Sequence, residues 1–304
     1  MGSHLSEPET GKQTEEISNE HYVVASSSMQ GWRLGMEDAH CHILSYGNDD
    51  SCAFLGVFDG HGGPLVADFT SRNLPATIAA SQAFKNGDVS LAIKEGCLHT
   101  DVEVRNSGVH AETSGTTAIF TILKDKHIFC GNVGDSRAVA SVCGRVEELS
   151  FDHKPTRETE LRRISAAGGY VELNRVNGSL ALSRALGDFA FKKNPSKSPE
   201  EQIITASPEV IVKEITDEHE FVVLGCDGIW DVLTNVEAVE FVRSRISQNM
   251  ELCQICEELL TRCLAPDSRL GSIGCDNMTV VIVAFLHGRS YENLAKKCQL
   301  SSRI

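Results

Sequence analysis

Long apolar stretches are missing from this chain of 304 residues. No run approaches the ~20 apolar residues that a membrane-spanning helix needs. The first residues also lack the basic-then-apolar layout of a secretory signal. Basic residues are in short supply: 28 Lys and Arg face 42 Asp and Glu, a net charge of −14. That balance argues against nucleic acid as a partner, since a phosphate backbone requires a basic face. The G-x-S-x-G elbow of serine hydrolases is absent, and so is the G-x-x-x-x-G-K-[ST] loop of nucleotide-binding kinases and GTPases. Eleven cysteines are present, but without the tight spacing of a disulfide framework. They read as reduced thiols, which predicts a cytoplasmic or nuclear protein.

What remains is an ordinary globular composition, 41% apolar and 23% charged. Residues 1–20 are polar and acidic, which predicts a flexible tail. Their opening, Met1-Gly2-Ser3-His4-Leu5-Ser6, fits the N-myristoylation pattern. The first four residues are equally common in expression tags. A lone acyl chain without a basic patch would in any case give only weak membrane association. Residues 289–304 read as a short polar C-terminal tail.

Between the tails, short β-branched segments predict strands near 22–28, 36–45, 52–58, 116–123, 127–133, 136–142, 208–215, 220–226 and 278–286. Helical spacing marks 63–80, 88–106, 157–167, 235–247 and 251–264. No linker divides residues 21–288, so a single domain is expected, with nothing to suggest more than a monomer. Helices and strands do not alternate regularly, which argues against a doubly wound parallel sheet. The expected class is α+β: two antiparallel sheets packed as a β-sandwich, flanked by helical layers. The polar segment FKKNPSKSPEEQ (191–202) reads as a surface loop.

Carboxylates recur where apolar strands end. CAFLGVF runs into Asp59-Gly60, FVVLGC into Asp227-Gly228, and IFCGNVG into Asp135, while Asp276 directly precedes NMTVVIVAF. A buried carboxylate left uncompensated costs several kcal/mol. Strands lying side by side would gather these charges in one cleft, with few lysines nearby. An all-oxygen donor set selects hard ions such as Mg2+ or Mn2+. Glu37 and Asp38 follow Arg33 in GWRLGMEDAH. On a strand they face opposite ways, so one can ligate while the other supports it. In VFDGHGG the side-chain-free Gly60 can turn its carbonyl towards an ion held by Asp59. Gly62 and Gly63 let the chain pivot into a helix, leaving His61 beside the centre.

The ordered set QGWRLGMEDAH, VFDGHGG, SGTTA, GNVGDSRAV, DHKP, RVNGSLALSRALGD, CDGIWDV and GCDNMTV resembles the metal-dependent serine/threonine protein phosphatases of type 2C. The resemblance covers residues 22–286 and implies a four-layer αββα fold. It further implies two Mg2+ or Mn2+ ions with a weaker third. Asp59 matches the bridging ligand and Gly60 a carbonyl ligand. Asp227 and Asp276 match ligands of one ion, Glu37 the acid on the other side, and Asp38 its neighbour. Asp135 matches a residue tied to the third ion. Arg33 matches the arginine that grips phosphate, and His61 the general acid. The implied reaction is hydrolysis of phosphoserine or phosphothreonine in protein substrates by a metal-bridging water, without a phosphoenzyme. Residues 187–207 correspond to a variable flap.

Two rival readings compete. Cysteine-dependent phosphatases carry Cys-x5-Arg, formally matched by Cys256/Arg262 and Cys263/Arg269. The first spans a helical pattern without glycine, and the second contains Pro266, which removes an N–H donor from any phosphate cradle. A catalytically silent adaptor of the same fold would have lost ligands, and the acidic set here is complete.

Overall fold

A computed structural model describes residues 4–268 and 273–300. Eleven strands build two sheets, antiparallel throughout. The first sheet contains β1 (His4–Ser18), β2 (Tyr22–Arg33), β7 (Arg137–Val142), β8 (Arg145–Glu148), β10 (His219–Gly225) and β11 (Met278–Phe285), in the order β1-β2-β11-β10-β7-β8. The second contains β3 (Ala39–Ile43), β4 (Ala53–Phe58), β5 (Ala118–Lys124), β6 (His127–Val133) and β9 (Glu209–Glu214), in the order β9-β6-β5-β4-β3.

The strands in the middle are apolar at nearly every position because both of their faces are covered. Leu55 and Val57 of β4 meet Val222 and Leu224 of β10 and Val281 and Val283 of β11 between the sheets. The alternate residues Phe54 and Phe58 point outward into α1 (Leu65–Ala80) and α2 (Val89–Asn106). On the far side, Phe221, Val223, Val280 and Ile282 pack against α4 (Asp227–Trp230), α5 (Asn235–Ile246), α6 (Leu252–Cys263) and α7 (Tyr291–Cys298). Another helix, α3 (Glu158–Ala166), lies in the long excursion between β8 and β9. The result is the expected αββα sandwich.

Three expectations are corrected. Residues 4–18 are not a flexible tail; they form the edge strand β1, paired with β2 from Ser18↔Val23 to His4↔Arg33. Their polar sequence is stabilised by backbone pairing and by side-chain contacts such as Thr14 Oγ1 to Ser27 Oγ at 2.9 Å, and polar, charged residues suit an edge strand. The C-terminal segment is not simply a polar tail either, because Leu294, Ala295 and Cys298 of α7 are buried. Finally, β3 starts at Ala39, so Glu37 and Asp38 sit in the preceding loop rather than on alternate faces of a strand. Gly2 lies outside the described residues. Among the described residues no helix is long and apolar enough to cross a membrane.

Candidate active site

The antiparallel register brings one set of strand ends to the same edge of the sandwich. Ala39 pairs with Phe58, Gly225 with Val280, and Met278 with Met29. Asp38, Asp59, Cys226, Asp227, Asp276 and Arg33 therefore flank one mouth, each within two residues of those pairs or at the end of β2. Asp135 follows the end of β6, which runs parallel to β4.

Asp59 is fixed by SGTTA. Its N–H donates to Thr117 Oγ1 at 3.2 Å, and its carbonyl accepts from Thr117 N at 2.9 Å and from Thr116 Oγ1 at 3.1 Å. Asp38 Oδ2 accepts from Thr279 Oγ1 at 2.7 Å. Asn277 organises the loop before β3: its Oδ1 accepts from Glu37 N at 2.9 Å, and its Nδ2 donates to Gln30 O and Gly35 O. Asp276 Oδ1 accepts from Asn277 N at 2.8 Å, while Oδ2 is held by Arg33. The Gly60 backbone lies hard against this loop, since a Cβ there would come within 2.3 Å of Glu37 O. Gly62 has φ +71°, the left-handed region in which glycine carries no side-chain penalty, as the chain turns towards α1.

The carboxylates repel one another. Burial pushes Asp59 well above the usual carboxylate range, and the charges of Asp227, Asp38, Asp135 and Asp276 push it further. Asp227 is raised in the same way, by burial first and then by Asp135, Asp276, Asp231 and Asp38. Burial lifts Asp38 to about 7 despite hydrogen bonds from Thr279 and Cys226. All three keep part of their surface open at the mouth. Such a site favours cations, and the donors are mainly hard oxygens suited to Mg2+ or Mn2+. The set is not purely oxygen, however, because donor atoms of Asp38, Asp59 and Cys226 lie within 4.8 Å of one another. Burial and the neighbouring carboxylates raise the Cys226 thiol well above its ordinary range. A thiol is a soft donor, so for a hard ion such as Mg2+ or Mn2+ the carboxylate oxygens are the matched ligands.

Two cations stand at the rim. Lys154, from DHKP, pairs with Asp135 at 2.5 Å, one of the few lysines the sequence places near these motifs. Arg33 is engaged by Asp276, and its Nε is buried without a hydrogen-bond partner. His61 Nε2 lies 2.7 Å from Asp188 Oδ2. Asp188 is buried, and its φ of +50° places it in the left-handed region. Sequence reasoning gave no role to Asp188, Lys154 or Asp231. The signal was present in the first two cases, since ALGD and DHKP were among the diagnostic motifs. Asp231 stands four residues after Asp227, one helical turn away.

The cysteine alternative fails on geometry. Cys256 and Cys263 are buried on α6, with burial raising the first well above its ordinary range and the second to about 12. Neither can supply a ready thiolate. Arg269 lies outside the described residues.

The family model described as Protein phosphatase 2C matches residues 22–270. The chain belongs to the protein phosphatase 2C family. A probable protein phosphatase 2C of Caenorhabditis elegans is 55% identical over 98% of this chain and 84% of its own length. A protein phosphatase 2C homolog of Schizosaccharomyces pombe is 46% identical over 96% and 81%. Among solved structures, a serine-threonine phosphatase 2C from Toxoplasma gondii superimposes with a TM-score of 0.78 at 23% identity, covering 90% of this chain and 99% of that one. That likeness concerns the fold. By family, the chain is a serine/threonine protein phosphatase that depends on metal ions and acts on phosphorylated proteins.

Proposed function

We propose that the acidic mouth hydrolyses phosphoserine and phosphothreonine in one displacement, with Asp59, Asp227, Asp276, Glu37 and the Gly60 carbonyl as metal ligands. Asp38 supports this set from its hydrogen bond to Thr279. When bound, a pair of Mg2+ or Mn2+ ions would offset the carboxylate repulsion and lower the pKa of an attacking water. Asp135 suits a weaker third ion, which would have to compete with Lys154. The Arg33 side chain is partly exposed, and its guanidinium, a planar fork matched to phosphate oxygens, binds the substrate phosphate. His61 donates a proton to the departing alkoxide, a role typically worth about 10²–10⁴-fold. Asp188 orients the imidazole through its 2.7 Å contact with Nε2. The flap, 187–207, enters the site through Asp188 and is the natural place for substrate selection. One chain carries every residue of this set, so a monomer suffices.

The observation that carries this reading is the gathering of Asp38, Asp59, Asp227 and Asp276 at one mouth, where burial and then their neighbours' charge raise Asp59 and Asp227, a site short of positive charge. The decisive assay uses a phosphothreonine peptide with Mn2+. Activity should vanish with EDTA and survive thiol alkylation. Asp59→Asn should lose both turnover and Mn2+ affinity; an EDTA-resistant, alkylation-sensitive enzyme would refute the proposal. His61→Gln should keep Mn2+ affinity and slow alkyl phosphates more than aryl phosphates.

A further inference from the structure

The two edge strands β1 and β3 lie on one flank of the sandwich, and there the alternation of β3 breaks a rule. Ala39, Cys41 and Ile43 pack towards the helices. His40 and His42 therefore face the interval between the sheets. In the paired strand β4 the same face carries Val57, opposite His40, and Leu55, opposite His42. An apolar interface thus ends in two imidazoles, 6.2 Å apart and nearly parallel at 22°. From the other sheet, Ile17 of β1 packs into the same interval, and Glu15, two residues earlier, shares its face.

Donor atoms of Glu15, His40 and His42 all lie within 4.8 Å of one another. Glu15 Oε2 is 3.5 Å from His42 Nε2, long for a hydrogen bond. The His42 side chain is only 8% exposed, and its Nδ1 is buried without a partner. Ser26, cross-strand from Glu15, also has a fully buried hydroxyl with no partner. Buried polar atoms are ordinarily paired, so this flank carries more polar capacity than the protein alone uses, while His42 Nε2 is the nitrogen turned towards Glu15. An ion pair does not account for this: burial pushes His42 below the ordinary imidazole range although Glu15 opposes the shift. The ring is neutral at neutral pH, with a lone pair to offer.

We propose that Glu15, His40 and His42 form a second metal site that takes Zn2+ and fastens the edge strand β1 to β3. Two imidazoles and one carboxylate suit zinc, whereas Mg2+ and Mn2+ favour the oxygen donors at the acidic mouth. The fourth position is left to water on the side where Glu15 is exposed. Because β3 begins directly after Asp38, the ion steadies the strand that follows that carboxylate. The site rests on residues outside the catalytic set, so it stands or falls independently of the mechanism above.

The test uses the full chain carrying Asp59→Asn, with saturating Mg2+, so that the acidic mouth contributes least. Isothermal titration with Zn2+ should find one equivalent and a rise in melting temperature. Co2+ in its place should give the strong visible bands of a tetrahedral site. Glu15→Gln, an exposed change that leaves folding intact, should weaken Zn2+ binding at least tenfold. His42→Leu, which extends the apolar face alongside Leu55, should abolish that equivalent and the Co2+ bands. Unchanged Zn2+ affinity in both variants, or octahedral Co2+ spectra, would overturn the site.

Discussion

Buried carboxylates occur in two settings in this molecule, and they behave in opposite ways. Glu160 of α3 is fully buried, but Arg163 and Arg184 meet it at 2.5 and 2.6 Å, and Ser183 Oγ donates to it at 2.9 Å. Burial alone would raise its pKa; the two guanidinium groups outweigh that and hold it at about 2. At the mouth, Asp59 and Asp227 are pushed up by burial and then by the neighbouring carboxylates Asp38, Asp135 and Asp276. The first group is complete in the protein alone. The second is left short of positive charge, which is what a cation-dependent catalyst requires. Charge that a fold neutralises internally holds structure together, whereas charge it leaves unneutralised is available to a ligand.

That contrast can be broken in four ways. The largest effect belongs to Asp59→Asn, expected to reduce kcat by at least about 10³-fold, above the usual loss from one transition-state donor; steady-state rates with saturating Mn2+ measure it. Next comes stability. Glu160→Gln leaves two partly buried guanidinium groups underpaired and should cost about 3 kcal/mol, the lower end for breaking a buried pair. Asp59→Asn in EDTA should instead stabilise the protein, because it removes a carboxyl whose ionisation the fold disfavours and the unfolded chain permits. Urea melts of both variants compare the two directly; a destabilised Asp59→Asn protein without metal would remove the distinction.

The third test is pH. In metal-free protein, Asp38 holds its proton to about 7, while the unfolded chain releases it near the ordinary 3.8. The native state therefore binds more protons across that window, and stability falls by a few kcal/mol as pH rises from about 4 to 7. Glu160 has the opposite sign: its native value of about 2 lies below the ordinary 4.5. Its contribution is lost as pH falls from about 4.5 to 2. Denaturation in EDTA across pH should show both slopes, and Mg2+ should flatten only the upper one. The smallest effect is expected from Asp188→Asn, roughly a tenfold loss in kcat for alkyl phosphates, part of the general-acid contribution. Alkyl phosphates should be slowed more than aryl phosphates; loss of stability with equal slowing of both would make Asp188 merely structural.

The interior strands were legible because burial on both faces writes an uninterrupted apolar run, as in CAFLGVF. The acids stood out because each interrupts such a run at its end. β1 was not legible for the converse reason: TGKQTEEIS has backbone pairing and edge contacts rather than a buried apolar face. The signal for α7 existed in Tyr291, Leu294 and Cys298, spaced i, i+3, i+7, but the polar residues between them hid it. Partnerships such as His61 with Asp188, 127 positions apart, depend on the fold and have no local periodicity to reveal them.

The order of the six-stranded sheet has a practical side. Residues 22–270, the span matched by the family model, stop before β11. That strand lies between β2 and β10 and is joined to both. A gene fragment cut to those limits would encode a sheet split down its centre, with Asp276 gone and β1 stripped from its margin. Shortened versions for expression should keep residues 4–300.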